Sequence, residues 1–375
     1  MVQCAKAERT LPIGQVNNMS RSMPFTIFMF LFLLTPVPAF PKAVQTAPSY
    51  EALYDKVSRL IALHKEDEAI ETLNKIVKIA PNDLRAYALL GDLYYKYDQL
   101  PEAVLAWKKI LEQEPTNEKI RYRLNKAQQE QQTHKAFTHE STRHFTIKFE
   151  GAESRGLYKL VLDILEEAYG EVGRALLFYP TEEVIVFLYT DQQFFDVTRA
   201  PSWAGGAFDG KIRIPTKGFE TQRDQLRKTL FHEYIHAVIH QMTERGVSKT
   251  GEKNASSVPV WLNEGIAQYF EPFGNKNGGR GVLEGVVEQS GKEGVIPLTK
   301  LHGSFMGINN LLGVQLAYDE SLSAVQFLVG RFGIWRLKML IEDLAVKHNI
   351  DEAMQSALLI SYAEFESRWQ EGLGR

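Results

Sequence analysis

Residues 50–117 carry an internal period of 34: Ala69, Leu73, Ile76 and Pro81 recur as Ala103, Trp107, Ile110 and Pro115. A period of this length marks a stack of two-helix units, each of which buries its apolar face only against a neighbour. The small residues let paired helices approach, and the proline ends the second helix of each unit. Two such units do not easily stand alone. A polar helix expected over residues 117–132 could cap the stack. The apolar-free stretch 128–135 (QQEQQTHK) reads as the boundary with the next domain.

In the second copy Tyr87, Leu90, Gly91 and Tyr94 complete a pattern that resembles the tetratricopeptide repeat, whereas Val57 fills the glycine slot of the first copy. The resemblance implies a repeat module with its capping helix over residues 50–135. Such a module is either a groove for a protein partner or a helical spacer packed on the next domain, and the sequence leaves both open.

Hydrophobic residues make up 44% of the chain and charged residues 24%, which sets it apart from disordered sequences. Lys and Arg number 43 against 46 Asp and Glu, so there is no basic excess to neutralise a phosphate backbone, which argues against a nucleic-acid partner. Residues 25–34 (FTIFMFLFLL) follow Arg21 and precede Val37 and Ala39, the pattern of a secretory signal peptide over residues 1–39. The run is shorter than the ~20 apolar residues that span a bilayer, so no stable membrane span is expected once the signal is removed. An exported protein, periplasmic or secreted, is the expectation. Cys4, the single cysteine, precedes the apolar run, so the exported part is no disulfide scaffold.

Beyond residue 140 the pattern changes. Residues 144–149 alternate apolar and polar, 153–177 have helical spacing, and 183–189 are β-rich. Residues 203–215 read as a glycine turn feeding a strand in which Lys211 and Arg213 alternate with Ile212 and Ile214. Strand, helix, strand, strand and then helices to the end is the order of an α+β domain with a small sheet in front.

Residues 230–237 read LFHEYIHA. Thr221 and Asp224 form a helix-start signal, and Leu226, Leu230 and Val238 recur at helical spacing. On a helix, His232 and His236 point the same way about 6 Å apart along the axis, so both imidazoles reach one metal. Glu233 is turned about 100° from His232, beside the metal rather than on it, where it can take a proton from water. Residues 260–270 (VWLNEGIAQYF) hold the next element. Zinc needs a third protein ligand and an open position, and Glu264 is the donor this segment offers. Gly265 and Ala267 are small, so this helix is expected to lie close to the histidine helix.

HExxH followed by WLNEG-x-A resembles the gluzincin metallopeptidases, the clan of thermolysin and the zinc aminopeptidases, and is most similar to peptidase MA-like domains that follow tetratricopeptide repeats. The resemblance covers about residues 140–375. It implies a thermolysin-like α+β domain with a small mixed sheet, active-site helices and a helical C-terminal part. By the same resemblance His232, His236 and Glu264 bind Zn2+, Glu233 is general base and proton shuttle, and the substrate is a peptide or protein. Gly205 and Gly206, with the strand carrying Ile212 and Ile214, resemble the edge on which a peptide is laid out. Tyr318 lies where related domains carry a tyrosine opening a helix and is expected to serve the developing oxyanion, with His302 as the other candidate.

Several positions depart from the family. The 27 residues between His236 and Glu264 exceed the aminopeptidase spacer. Gln268 stands where thermolysin-like enzymes carry an aspartate that orients a zinc histidine, so a different partner must hold that imidazole. A Gly-x-Met-Glu-Asn motif is missing, which favours an endopeptidase. His240 lies about 12 Å along the axis from His232, too far to share the ion, and reads as a polar-face residue. The glycines of 273–294 read as a mobile flap or a connection. A reading from another class makes the chain an assembly factor whose repeats recruit a partner, the zinc site being structural or vestigial. Glu233 argues against it, because a structural site has no use for a general base.

Overall fold

The computed structural model describes residues 50–151, 154–200, 204–216, 222–244, 258–272, 281–305, 308 and 310–373. The expected signal segment, Thr221 and the first glycines of 273–294 lie outside the described residues. No helix among the described residues is long and apolar enough to cross a membrane.

Two helical hairpins open the described chain: α1 (Tyr50–Ala62) with α2 (Glu66–Ile79), and α3 (Leu84–Lys96) with α4 (Leu100–Gln113). Their contact explains the glycine slot of the repeat. A Cβ on Gly91 would stand 2.3 Å from the indole nitrogen of Trp107, so only glycine lets α3 close on α4. Helix α5 (Glu118–Thr133) then packs on α4, with the Asn117 side chain accepting from the Ile120 amide to cap its first turn.

The second part is an α+β domain, mostly helical. Strands β1 (Phe137–Ser141) and β2 (Phe145–Glu150) form an antiparallel pair, and helix α6 (Ser154–Leu176) leads to β3 (Val184–Tyr189), parallel to β2. Helix α7 (Asp191–Thr198) is followed by β4 (Ala207–Phe208) and β5 (Ile212–Pro215). The sheet order is β1-β2-β3-β5-β4, with β5 parallel to β3 and antiparallel to β4. After it come α8 (Arg223–Thr243), α9 (Val260–Tyr269), α10 (Gly281–Ser290), α11 (Leu311–Phe332), α12 (Ile334–Lys347), α13 (Ile350–Leu358) and α14 (Tyr362–Gly372). Helix α10 occupies part of the glycine-rich segment, where a flap or connection was expected, because Leu283 is buried and the Asp319 carboxylate accepts from the Val282 amide in its first turn.

Alternation along the strands divides the sheet into two faces. Phe145, Ile147, Val186, Leu188, Ile212 and Ile214 face the main core, which they share with α6 and α8. Lys148, Phe187, Tyr189, Lys211 and Arg213 occupy the other face. Charged residues that alternate with isoleucines on a strand ordinarily face solvent, yet Lys211 and Arg213 are 1% and 0% exposed. The repeats cover them. Asp98, at the turn between α3 and α4, accepts from Lys211 Nζ at 2.7 Å and also from Lys148. Its φ of 57° is left-handed, a conformation that Asp tolerates better than most residues. Burial opposes the Asp98 charge, but Lys211 and Lys148 outweigh it and hold the carboxyl below its ordinary value. Glu130 of α5 accepts from Arg213 Nη2 at 3.1 Å and from the Tyr95 hydroxyl. Arg213 also reaches Asp209 and the Tyr189 hydroxyl, and His134 stacks on Phe187 with ring centroids 4.2 Å apart.

The stretch 128–135, read as the boundary between the two parts, is itself ordered. It forms the last turns of α5 and a short 3-10 turn (His134–Ala136), and two of its polar residues, Glu130 and His134, dock on the sheet. Of the two readings of the repeats, the packed helical spacer describes this contact.

Removing one partner of a buried ion pair strands the other charge. Glu130→Ala is expected to destabilise the protein by about 3–5 kcal/mol in a denaturant titration. Glu112→Ala, at an exposed pair with Lys109, should stay within about 0.5 kcal/mol of wild type.

Candidate metal centre

Helix α8 is buried almost all round, with Leu226, Leu230, Phe231, Tyr234, Ile235, Val238, Ile239 and Met242 in the core. A helix with this apolar girth lies inside the fold, and every polar side chain on it must be answered by a partner. His232 and His236 lie one turn apart with ring centroids 4.8 Å from each other, edge to face.

Helix α9 brings Glu264 to them. Its start is anchored from behind: the Val260 amide donates to the His302 carbonyl at 3.1 Å, and the Trp261 indole donates to the Tyr362 hydroxyl at 3.0 Å. The His302 imidazole pairs with that same hydroxyl at 2.9 Å, so it is committed to this anchor and does not serve an oxyanion. The small residues work differently from the expectation. A Cβ on Gly265 would stand 2.3 Å from the Ser321 carbonyl oxygen, so the glycine lets α9 close on α11 rather than on α8.

Nε2 of His232 lies 3.2 Å and Nε2 of His236 lies 3.7 Å from the same oxygen, Oε2 of Glu264. The three ligand atoms fall within 4.8 Å of one another. Ligands about 2.0–2.1 Å from a tetrahedral ion are spaced a little over 3 Å apart, so this set fits one divalent cation. The electrostatics fit as well. Burial opposes a charge on His232, but hydrogen bonds with Glu264 and Glu271 outweigh it and raise the imidazole to about 10. Burial takes His236 the other way, down to about 4. With Glu233, Glu264 and Glu271 gathered here, the pocket demands positive charge at its centre.

Glu271 supplies the support that Gln268 does not. Its Oε1 stands 2.8 Å from Nδ1 of His232, and its Oε2 pairs with Lys228 at 3.3 Å. A carboxylate on the far nitrogen fixes the imidazole tautomer and leaves Nε2 free for a metal. Sequence reasoning missed it by stopping one turn after Glu264. Glu271 follows Glu264 by seven residues, almost two turns, and so returns to the same face. Gln268 instead donates to the Tyr318 carbonyl at 2.9 Å, tying α9 to α11.

Glu233 is 6% exposed. Burial raises its carboxyl to about 7, with Glu264 and Asp209 acting in the same direction and His232 against them. A Cβ on Gly206 would stand 2.8 Å from Oε1 of Glu233, and one on Gly205 would stand 3.1 Å from Oγ1 of Thr229. The two glycines thus bring the chain entering β4 onto the carboxylate. Ile212 and Ile214 are a correction: both are 0% exposed on the core face of β5, an inner strand between β3 and β4. The edge strand beside the centre is β4, whose second side pairs with no strand among the described residues. Tyr318 sits in the eighth position of α11 rather than at a helix start, with its ring edge-on to Phe305. Burial raises its phenol above the ordinary value, and Glu264 and Glu233 raise it further, which places it in the field of both carboxylates. His240 joins no ligand set. It lies beside the Phe208 ring and 3.5 Å from Glu244.

Two other groupings of acids and histidines, His64 with Glu66 and Glu182, and Asp98 with Glu130 and His134, have spacing that could hold a metal. Lysines already occupy them: Lys96 lies 2.6 Å from Glu182, and Lys211 lies 2.7 Å from Asp98.

A family model of the peptidase MA superfamily matches residues 178–374, just over half of the chain. A tetratricopeptide repeat model matches residues 60–123. A search of curated proteins finds no match.

The Glu271 contact predicts an outcome in metal binding alone. Glu271→Gln should weaken affinity for a divalent cation by about 10–100-fold in competition with a chelating dye. Gln268→Ala, whose side chain meets the Glu264 backbone carbonyl at 3.4 Å but no ligand atom, should leave that affinity near wild type.

Proposed function

Because the chain belongs to the peptidase MA superfamily, we propose that it is a zinc-dependent peptidase, exported to the periplasm or beyond, that cuts within polypeptide chains. The observation that carries this reading is the convergence of His232, His236 and Glu264 on one point, with Glu233 buried beside it and Gly206 against Glu233. The superfamily is generally metal-dependent. Two imidazoles and one carboxylate are the donor set that suits Zn2+ with one position left for water or substrate. Export rests on the apolar run at 25–34 and the residues that flank it. Cleavage within a chain rests on the missing exopeptidase motif. The domain limits follow the same reading: repeats over 50–135 and a catalytic domain over 140–375.

In this reading His232, His236 and Glu264 would hold the ion, and Glu271 keeps His232 oriented through Nδ1. A bound cation would supply Lewis acidity toward the scissile carbonyl and toward the attacking water. Glu233 accepts the proton of that water and returns it to the leaving nitrogen, a task suited to a carboxyl shifted toward neutrality. The free side of β4 offers backbone groups to an extended substrate, and the glycines before it leave the substrate room to approach Glu233. Tyr318 keeps its proton, because burial and the neighbouring carboxylates raise its phenol, and so it can donate to the developing oxyanion.

The test is cleavage of an unbiased peptide mixture by the zinc-loaded protein. Glu233→Gln should lower kcat/KM by about 10²–10⁴-fold while zinc content by atomic absorption is unchanged. Cleavage by that variant at the wild-type rate would end the proposal. Tyr318→Phe should lower kcat by about 10²–10³-fold with little change in KM.

A further inference from the structure

A cavity of about 360 Å³ opens next to the metal centre. Its walls come from four parts of the chain: Asp92 and Tyr95 of α3, Phe208 and Asp209 at the β4–β5 turn, His236 and His240 of α8, and Asn263 of α9. His236 belongs both to this wall and to the ligand set, so the cavity begins where the metal centre ends.

The strand beside the cavity has a definite course over α8. Gly206 stands against Glu233, and two residues later the Phe208 ring lies 5.5 Å from that of His240, edge to face. Strand β4 therefore runs along α8 in the same chain direction. An extended segment paired with its open side passes Glu233 and reaches the cavity about two residues, or about 6.6 Å, further on. Successive side chains of an extended segment alternate, so one of these two residues turns its side chain toward α8.

The charged groups around the cavity are already matched. Asp92 accepts from Arg123 at 2.7 Å, and Asp209 is held by Arg213 and Lys126. The two lysines at its back, Lys96 and Lys211, are bound by Glu182, Glu244 and Asp98. With charge neutralised inside the walls, size and apolar contact with Phe208 and the Tyr95 ring are left to select what enters. The volume falls within the range of pockets that take a small ligand, and exceeds what one aromatic side chain fills.

We infer that this cavity is a specificity subsite, walled on one side by the repeat helix α3, which takes a large apolar or aromatic side chain of the substrate one or two residues from the scissile bond. The inference rests on the peptidase reading of the neighbouring centre. It gives the repeats a part in choosing the substrate, in addition to covering the sheet.

The test is a positional cleavage profile, read by mass spectrometry on a peptide library, for the zinc-loaded full chain and three variants. His240→Trp fills the cavity from α8, and its preference for large over small residues at one substrate position should fall by at least about tenfold. Phe208→Ala enlarges the cavity and should shift the profile toward bulkier residues at that same position. Asp92→Leu alters the repeat wall and should change that position and no other. Circular dichroism and a melting curve identify which variants are folded, and any one folded variant decides the matter. Folded variants whose profiles superimpose on wild type would overturn the subsite while the peptidase reading stands. A wild-type protein that cleaves nothing would remove that reading and the subsite with it.

Discussion

Arg213 and Lys211 are enclosed away from water, and the arrangement of the chain around them follows from that condition. A buried guanidinium or ammonium group is tolerable only where carboxylates and hydroxyls meet it with good geometry. Glu130, Asp98, Asp209 and the Tyr189 hydroxyl do so here, and two of these four belong to the repeat module. Buried ion pairs often contribute little net stability against an apolar alternative. What these pairs contribute is register. Only one placement of α3 and α5 on the sheet satisfies both cations at once. The repeats, too few to close their own stack, complete their burial against the face of a sheet where Lys211 would otherwise lack Asp98 and Arg213 would lack Glu130.

That placement reaches the candidate metal centre through two strands. Arg213 holds Asp209 at the β4–β5 turn, and Lys126 of α5 holds it from the other side, so the turn is clamped between the two parts of the chain. Burial opposes the Asp209 charge, yet these cations keep its carboxyl near 2. Strand β4 starts from the glycines that press on Glu233 and ends at this turn. Its position over α8 is set by the sheet on one side and by the repeats on the other. The same burial that makes α8 a core helix shifts Glu233 upward and His236 downward, while hydrogen bonds with Glu264 and Glu271 carry His232 upward against it.

Much of the centre was legible because its chemistry is local. Histidines four apart on a helix share a face whatever surrounds them, and Glu264 stood out in a segment that read as a helix of its own. The order of strands and helices was likewise written in periodicity. What periodicity does not carry is the identity of the covering layer. Lys211 and Arg213 alternate with Ile212 and Ile214 as on a solvated strand, and nothing local says that another module lies over them. The same limit explains Glu130 and His134, polar residues in a stretch that read as a boundary. It also explains the strand order, since the pairing of β5 between β3 and β4 is a long-range fact that made Ile212 and Ile214 core residues. Glu271 is a different case. It lies just past the end of α9, on the face of Glu264, and was within reach of helical geometry alone.

The contact between Gly265 and the Ser321 carbonyl has a consequence for how the centre can move. Glu264 adjoins that glycine, Tyr318 lies one turn before Ser321, and the Gln268 amide clasps the Tyr318 carbonyl across the same seam. The carboxylate and the phenol are thus mounted on two backbones in direct touch, with no side chain between them to act as a cushion. Thermal breathing of α11 would carry both groups together, as passengers on one rigid plate. Any opening of the site must then be a hinge between this plate and α8, widening the gap to the imidazoles while the spacing of Glu264 and Tyr318 is conserved.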